Sequence, residues 1–360
     1  MVSHTNAPWT PLYARHLRRL GHELLVVSFH PDRLPGVDSV FVGAEPFDKY
    51  RNKSLFLTRL PRVRRILARF RPDLVFAPYL VSNGLVAALL ARCPLVVSAC
   101  GGDVLAHPDH PLWRRRIHGR VVRLVCRRAH AVHAVSENLE RALLGLGVPA
   151  GKIERFPIGV DLETFRPDPA MPRPEALRLI CTRSHAPVYD LPTLIRALEL
   201  LHRSGRRFHC TFAGGGHLLE SHREQVRAAG LEGRVDFTGQ VPHGEIPALL
   251  RSADVYVSPS LSDGASASLL EALATGLLPV VTRIDANTPW IRDGETGLLF
   301  EPGNAEQLAS CLGRALEDGA LRERALRENR GVVEASAEIG ETMRRMAALF
   351  ERTLARYSGR

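Results

Sequence analysis

SPSLSDGASASLLEALATGLLPVV, residues 258–281, is the stretch from which the fold can be read. A short apolar strand ends at Ser258, a loop of small residues (Ser262, Asp263, Gly264, Ala265, Ser266) follows, a helix starts near Ser268, and a second apolar strand runs from Pro279 to Thr282. Strand, tight loop, helix and strand make a βαβ unit, whose two strands lie parallel. Small residues let backbone N–H groups approach a ligand, and a helix N-terminus favours negative charge, so the loop has the chemistry of a phosphate site. Asp263 and Glu271, eight positions apart, add carboxylates that can accept hydrogen bonds from sugar hydroxyls. The alternative for the same residues is a capped helix with a surface glutamate.

Outward from this unit the alternation repeats, and the fold class is α/β with two doubly wound parallel-sheet domains. Strands are predicted at 24–29, 74–77, 95–99 and 131–135, then at 177–182, 208–213, 235–238 and 255–258. Helices are predicted near 11–20, 83–92, 112–128, 137–146, 192–204, 218–229, 244–251, 268–276 and 305–317. FRPDPAMPRPEA, residues 165–176, holds four prolines and reads as a linker between a domain at 1–164 and one at 177–332. The pattern at 333–360 is a long helix expected to pack back on the first domain. Only Met1 and Val2 precede the polar Ser3-His4-Thr5-Asn6, so the first strand reads as truncated: a two-residue stub, or the remnant of a longer natural chain. A shortened central strand predicts lower stability than a longer version.

The 360 residues are 45% hydrophobic and 24% charged, which excludes a disordered or fibrous chain. No apolar run reaches the roughly 18 residues of a membrane span, and MVSHTNAPW lacks the order of a secretion signal, so the expected compartment is the cytoplasm. Six scattered cysteines and fifteen histidines form no metal-ligand spacing, so no metal is expected.

The net charge of +10 is uneven: residues 1–170 carry 25 Lys and Arg against 14 Asp and Glu, and residues 171–360 carry 23 against 24. Eight cations and no acid occupy 51–72 (Arg51, Lys53, Arg59, Arg62, Arg64, Arg65, Arg69, Arg71), and a second run (Arg114, Arg115, Arg116, Arg120, Arg123, Arg127, Arg128) follows Trp113. Such surfaces suit anionic headgroups or phosphorylated substrates. A solvated Arg-rich face is the alternative, and no nucleic-acid motif accompanies the charge.

Together these segments resemble glycosyltransferase family 4, retaining enzymes of the GT-B fold. Asp263-x7-Glu271 stands where that family has its paired acids. LRRLGHELLVV (17–27), RAHAVHAVSENL (128–139), FPIGVDLETFRP (156–167) and GETGLLFEPGNAEQLA (294–309) resemble further family segments in the same order. The resemblance implies two Rossmann-like domains facing a cleft, and sugar transfer from a nucleoside-diphosphate sugar, a UDP- or GDP-sugar, with no tightly bound cofactor and no metal. The acceptor would be a lipid-linked or surface-polysaccharide glycan, at an anionic inner membrane face that the basic first domain would meet. A catalytically weak nucleotide- or glycan-binding protein of the same fold is the alternative.

By the same resemblance Glu271 would hold the donor ribose, and Asp263 with the backbone of Gly264, Ala265 and Ser266 would hold the transferred sugar, beside Ser268. Arg183 would neutralise the leaving diphosphate, a role suited to a guanidinium that forks onto phosphate oxygens. Tyr189 aligns with the family's usual lysine and brings no charge at pH 7. Gly214 and Gly215 lie in the AGGGHLLE turn, which could equally be purely structural; Gln240 and Val241 would meet the base through their backbone. Asp103, in SACGGDVLAHP (98–108), would approach the transferred sugar or acceptor, or else cap the next helix.

Overall fold

The computed structural model describes residues 1–7, 9–43, 56–105, 111–168 and 176–359. Most of the expected linker, and Arg51 and Lys53 of the first basic run, lie outside the described residues. The chain divides into two compact units, Met1–Pro157 with Gly340–Arg360, and Ile158–Ile339.

In the first unit α1 (Trp9–Arg19) leads into β1 (Leu25–Ser28), which pairs in parallel with β2 (Asp38–Phe41). Then follow α2 (Leu60–Phe70), β3 (Val75–Pro78), a π-helical turn at Leu80–Gly84, α3 (Leu85–Leu90), β4 (Leu95–Ala99), α4 (Leu112–Arg128), β5 (Ala131–Ala134), α5 (Glu137–Gly145) and β6 (Ile153–Arg155). β3 to β6 form one parallel sheet in chain order. Central strands such as LVVSA at 95–99 are apolar almost throughout because helices cover both faces of a parallel sheet. Sequence periodicity does not reveal β2 or β6, since DSVF opens on a charge and IER carries two.

The start of the chain joins the two sheets of this unit. Val2 N–H donates to Phe76 O at 2.9 Å, Val27 N–H donates to Met1 O at 2.8 Å, and Ser3 N–H donates to Val27 O at 3.1 Å. Residues 1–3 therefore lie as a short parallel stub between β1 and β3. The C-terminal helix (Ile339–Ser358) places Phe350 5.3 Å from Phe76 between ring centroids, and Arg345 donates to Arg155 O at 2.8 Å.

The second unit contains β7 (Leu177–Cys181), α6 (Leu191–Arg203), β8 (Phe208–Phe212), α7 (Leu219–Ala228), β9 (Val235–Phe237), α8 (Ile246–Arg251), β10 (Val255–Ser258), α9 (Ala267–Ala274), β11 (Leu278–Thr282), β12 (Leu298–Phe300), α10 (Ala305–Glu317) and α11 (Gly319–Ser336). Its parallel sheet has the order β12-β11-β10-β7-β8-β9. Leu194, Leu198, Leu308 and Leu312 fill the core on one face, and Leu250, Leu269 and Leu273 fill it on the other. The chain winds outward from β7 to β9 and then returns to lay β10 on the opposite side of β7. In an open α/β sheet ligands bind where the winding reverses, beyond the carboxyl ends of the two central strands. At the amino ends, Arg178 closes the same pair by forking onto Asp254, Nε to Oδ2 at 3.1 Å and Nη2 to Oδ1 at 2.9 Å.

Candidate functional site

At the reversal point Arg183 follows β7, and its side chain crosses to the segment that follows β10. It is buried at 7% exposure. Nε donates to Ser258 Oγ at 3.0 Å, and Nη2 donates to Asp263 Oδ2 at 2.7 Å and also to Ser266 Oγ. A buried guanidinium is tolerated only when its donors are met, and here the end of β10 and the loop of small residues meet those of Nε and Nη2. The remaining Asp263 oxygen accepts the Gly264 N–H at 2.8 Å. Behind Ser258 the polar chain continues, Ser258 Oγ to Ser260 Oγ at 3.0 Å and Thr282 Oγ1 to Ser260 O at 2.6 Å. Arg183, Asp263 and Ser266, singled out by sequence, thus converge; Ser258 and Ser260 were missed, because a serine at a strand end carries no signal of its own.

Tyr189, in a 3₁₀ turn at Pro187–Tyr189, lies with its ring 5.2 Å from the Arg183 guanidinium carbon. Burial pushes its phenol up, against the opposing pull of the Arg183 charge, so the ring supplies a neutral π face.

The glycine run after β8 is required by close packing. A Cβ on Gly214 would stand 2.4 Å from Arg183 O, and one on Gly216, whose φ is +153°, 2.4 Å from His185 O. A Cβ on Gly215 would meet Gln240 Oε1 at 2.9 Å, and Gly215 O accepts from His185 N–H and Ser184 Oγ, each at 2.9 Å. The turn is therefore a backbone-to-backbone seat under the Arg183 loop. Beneath it His185 Nδ1 and His222 Nδ1 lie 2.7 Å apart, both rings buried, so one Nδ1 carries the shared proton. Burial lowers both pKa values, that of His185 to about 4.

Glu271 lies on α9, and its Oε1 accepts from His243 Nε2 at 2.8 Å. His243 opens a 3₁₀ turn, His243–Glu245, 28 positions upstream, and sequence reasoning did not anticipate it. The Glu271 hydrogen bond raises the His243 pKa against a smaller lowering by burial. Gln240 is exposed next to Gly215, whereas Val241 is half-buried with its side chain against the core.

Two of the expected site residues bond within the protein. Ser268 shares a hydrogen bond with Tyr256 OH at 2.9 Å, which ties α9 to β10. Asp103 is fully buried, and its carboxylate accepts the N–H groups of Leu80 (2.8 Å), Cys100 (3.0 Å) and Gly101 (2.7 Å). Burial raises its pKa while these donors lower it. It joins the loop after β4 to the π-turn after β3, the backbone role that sequence had offered as a cap. Among the described residues no three His, Cys, Asp or Glu side chains converge as a metal-ligand set.

The family model described as "Glycosyl transferases group 1" matches residues 173–331, and that described as "Glycosyltransferase Family 4" matches residues 12–164. The chain is 28% identical over 338 residues to sulfoquinovosyl transferase SQD2 of Arabidopsis thaliana, spanning 86% of this chain but 63% of that protein. It is 28% identical over 276 residues to a GDP-mannose-dependent α-(1-6)-phosphatidylinositol monomannoside mannosyltransferase of Mycobacterium tuberculosis, spanning 71% of this chain and 70% of that one. Among solved structures it is similar to a sucrose-phosphate synthase from Thermosynechococcus elongatus, at a TM-score of 0.83 with 20% identity over 96% of this chain and 92% of that one. It is also similar to Anabaena HepE in complex with UDP-glucose, at 0.81 with 18% identity over 98% and 99%.

Proposed function

The chain belongs to the group 1, family 4 glycosyltransferases and has their GT-B fold, and on that premise we propose that it transfers a sugar, with retention, from a nucleoside-diphosphate sugar to a glycan or lipid-linked acceptor. The observation that carries the proposal is the buried Arg183 guanidinium at the sheet reversal point, held by Ser258, Asp263 and Ser266 with Glu271 on the next helix. In the reaction the bond from the anomeric carbon to the phosphate oxygen breaks and its electron pair stays on the phosphate. Arg183 stabilises that charge, and the acceptor hydroxyl bonds to the anomeric carbon on the same face and gives its proton to the departing phosphate oxygen. Asp263, the ion-pair partner of Arg183, takes hydroxyls of the transferred sugar, and Glu271 takes the ribose.

The acceptor reading draws on α4 in the first unit. Trp113 (59% exposed), Ile117 (51%) and Leu124 (42%) recur at helical spacing among Arg114, Arg115, Arg116, Arg120, Arg123, Arg127 and Arg128, with no acid on the helix. An apolar ridge flanked by cations suits an anionic lipid surface, which supports the reading of an enzyme that works at the inner membrane face. Among the described residues no helix is long and apolar enough to cross a membrane.

Tyr189 favours a second reading, a nucleotide-binding protein with little turnover, because its neutral ring stands where the family has a second cation. Thermal shifts of the purified chain with UDP, GDP, ADP and dTDP, repeated on Glu271→Ala, test the donor site. One nucleotide at 100 times its Kd is expected to stabilise the wild type by about 2.7 kcal/mol and the variant much less. Donor hydrolysis or transfer that disappears in Arg183→Ala excludes the second reading; no shift with any nucleotide sinks the first.

A further inference from the structure

Glu271 is engaged through one oxygen. Oε1 accepts from His243 Nε2 at 2.8 Å, and no other side chain bonds that carboxylate among the described residues. The glutamate side chain is 14% exposed and the imidazole 40%, so the histidine reaches down onto a carboxylate that is itself mostly covered. A glutamate on a helix has three torsions to fix, and a short bond from a neighbouring element fixes them where helix packing alone does not. The imidazole is in turn flanked by Phe165, with ring centroids 5.7 Å apart. Glu271 is the charged group facing the ring from another element, and Glu245 on the same turn is exposed. Both the neutral Nε2–H tautomer and the imidazolium donate to Oε1, so the arrangement leaves Oε2 to accept from a ligand.

We propose that His243 is a positioning residue that orients Glu271 toward the donor ribose, and that preference for ribo- over 2′-deoxyribonucleotides depends on it. This rests on Glu271 being the ribose ligand. The turn that carries His243 begins just beyond Gln240 and Val241, so the side chain that orients the sugar ligand is supplied by the segment expected to line the base. His243 does not touch the reacting atoms.

Calorimetric titration decides the matter, using whichever of UDP, GDP or ADP binds and its 2′-deoxy counterpart, on wild type, Glu271→Gln, His243→Ala and His243→Gln. The wild type is expected to prefer the ribonucleotide about tenfold, the worth of one well-made hydrogen bond. Glu271→Gln removes most of that preference. His243→Ala lowers it at least about threefold, and His243→Gln, which keeps an N–H donor, restores most of it. A histidine with only a structural role would weaken both nucleotides by the same factor and leave the ratio alone, which overturns the proposal. Should Glu271→Gln leave the ratio unchanged, the assignment of Glu271 to the ribose fails instead. Since His243 is exposed on a surface turn, both His243 variants are expected to fold.

Discussion

Arg183 shows how much of a site one side chain can organise. Three acceptors from the stretch 258–266, Ser258, Asp263 and Ser266, close on its guanidinium, 75 to 83 positions away in the chain. A lysine would keep the charge but not the planar fork, and could hold one of these acceptors at a time. Arg183→Lys is therefore expected to reduce kcat by about a hundredfold or more while changing nucleotide affinity far less, as for a lost oxyanion-type donor. Steady-state kinetics with the cognate donor check this, and a kcat within a few-fold of wild type would count against Arg183 as the phosphate ligand. Arg183, Asp263 and Glu271 were singled out in sequence by family resemblance. Their mutual geometry was not legible there, because the pairing of Arg183 with Asp263 spans 80 positions and that of His243 with Glu271 spans 28.

Elements are tied together by polar groups that no periodicity reveals. His133, in the middle of β5, accepts from or donates to Ser98 Oγ of β4 at 2.7 Å and meets Phe156 O beyond β6 at 2.8 Å, so one buried ring staples three neighbouring strands. Burial lowers its pKa from 6.5 to about 4. The unfolded chain binds a proton below about pH 6.5 that the folded strand refuses until about 4, so stability is lost as pH falls across that window, on the order of 3 kcal/mol from this ring. Chemical denaturation of wild type and His133→Asn between pH 7 and 4 checks it: the variant is expected to show the shallower loss, and parallel slopes would refute the assignment. Strands and helices of strong pattern, such as Leu95–Ala99 and Leu112–Arg128, were legible to the residue. The π-turn at Leu80–Gly84 was not, because Asp103 imposes it from 23 positions away by taking the Leu80 N–H.

For the molecule as a whole, the charge asymmetry leads to a prediction that no single residue carries. With 25 Lys and Arg against 14 acids in residues 1–170, the chain is expected to float with phosphatidylglycerol vesicles, to remain behind with phosphatidylcholine, and to be released by about 0.5 M salt, since each surface cation is worth about 1 kcal/mol and is screened. Trp113→Ala with Ile117→Ala should reduce recovery at equal charge; equal flotation with both vesicle types would remove the membrane from the functional reading. Sequence by itself determined the α/β class and the family, because βαβ alternation and glycine-bearing turns are local consequences of side-chain shape and spacing. It also determined where the excess charge lies. Only tertiary structure decided that Asp103 serves the backbone, that Ser268 fixes a helix, that the glycine run seats the Arg183 loop, and that His243 holds Glu271. The reason is that burial and hydrogen-bond partnership are set by elements distant in the chain, and a polar residue carries the same sequence signal whether its partner is a ligand or the protein itself.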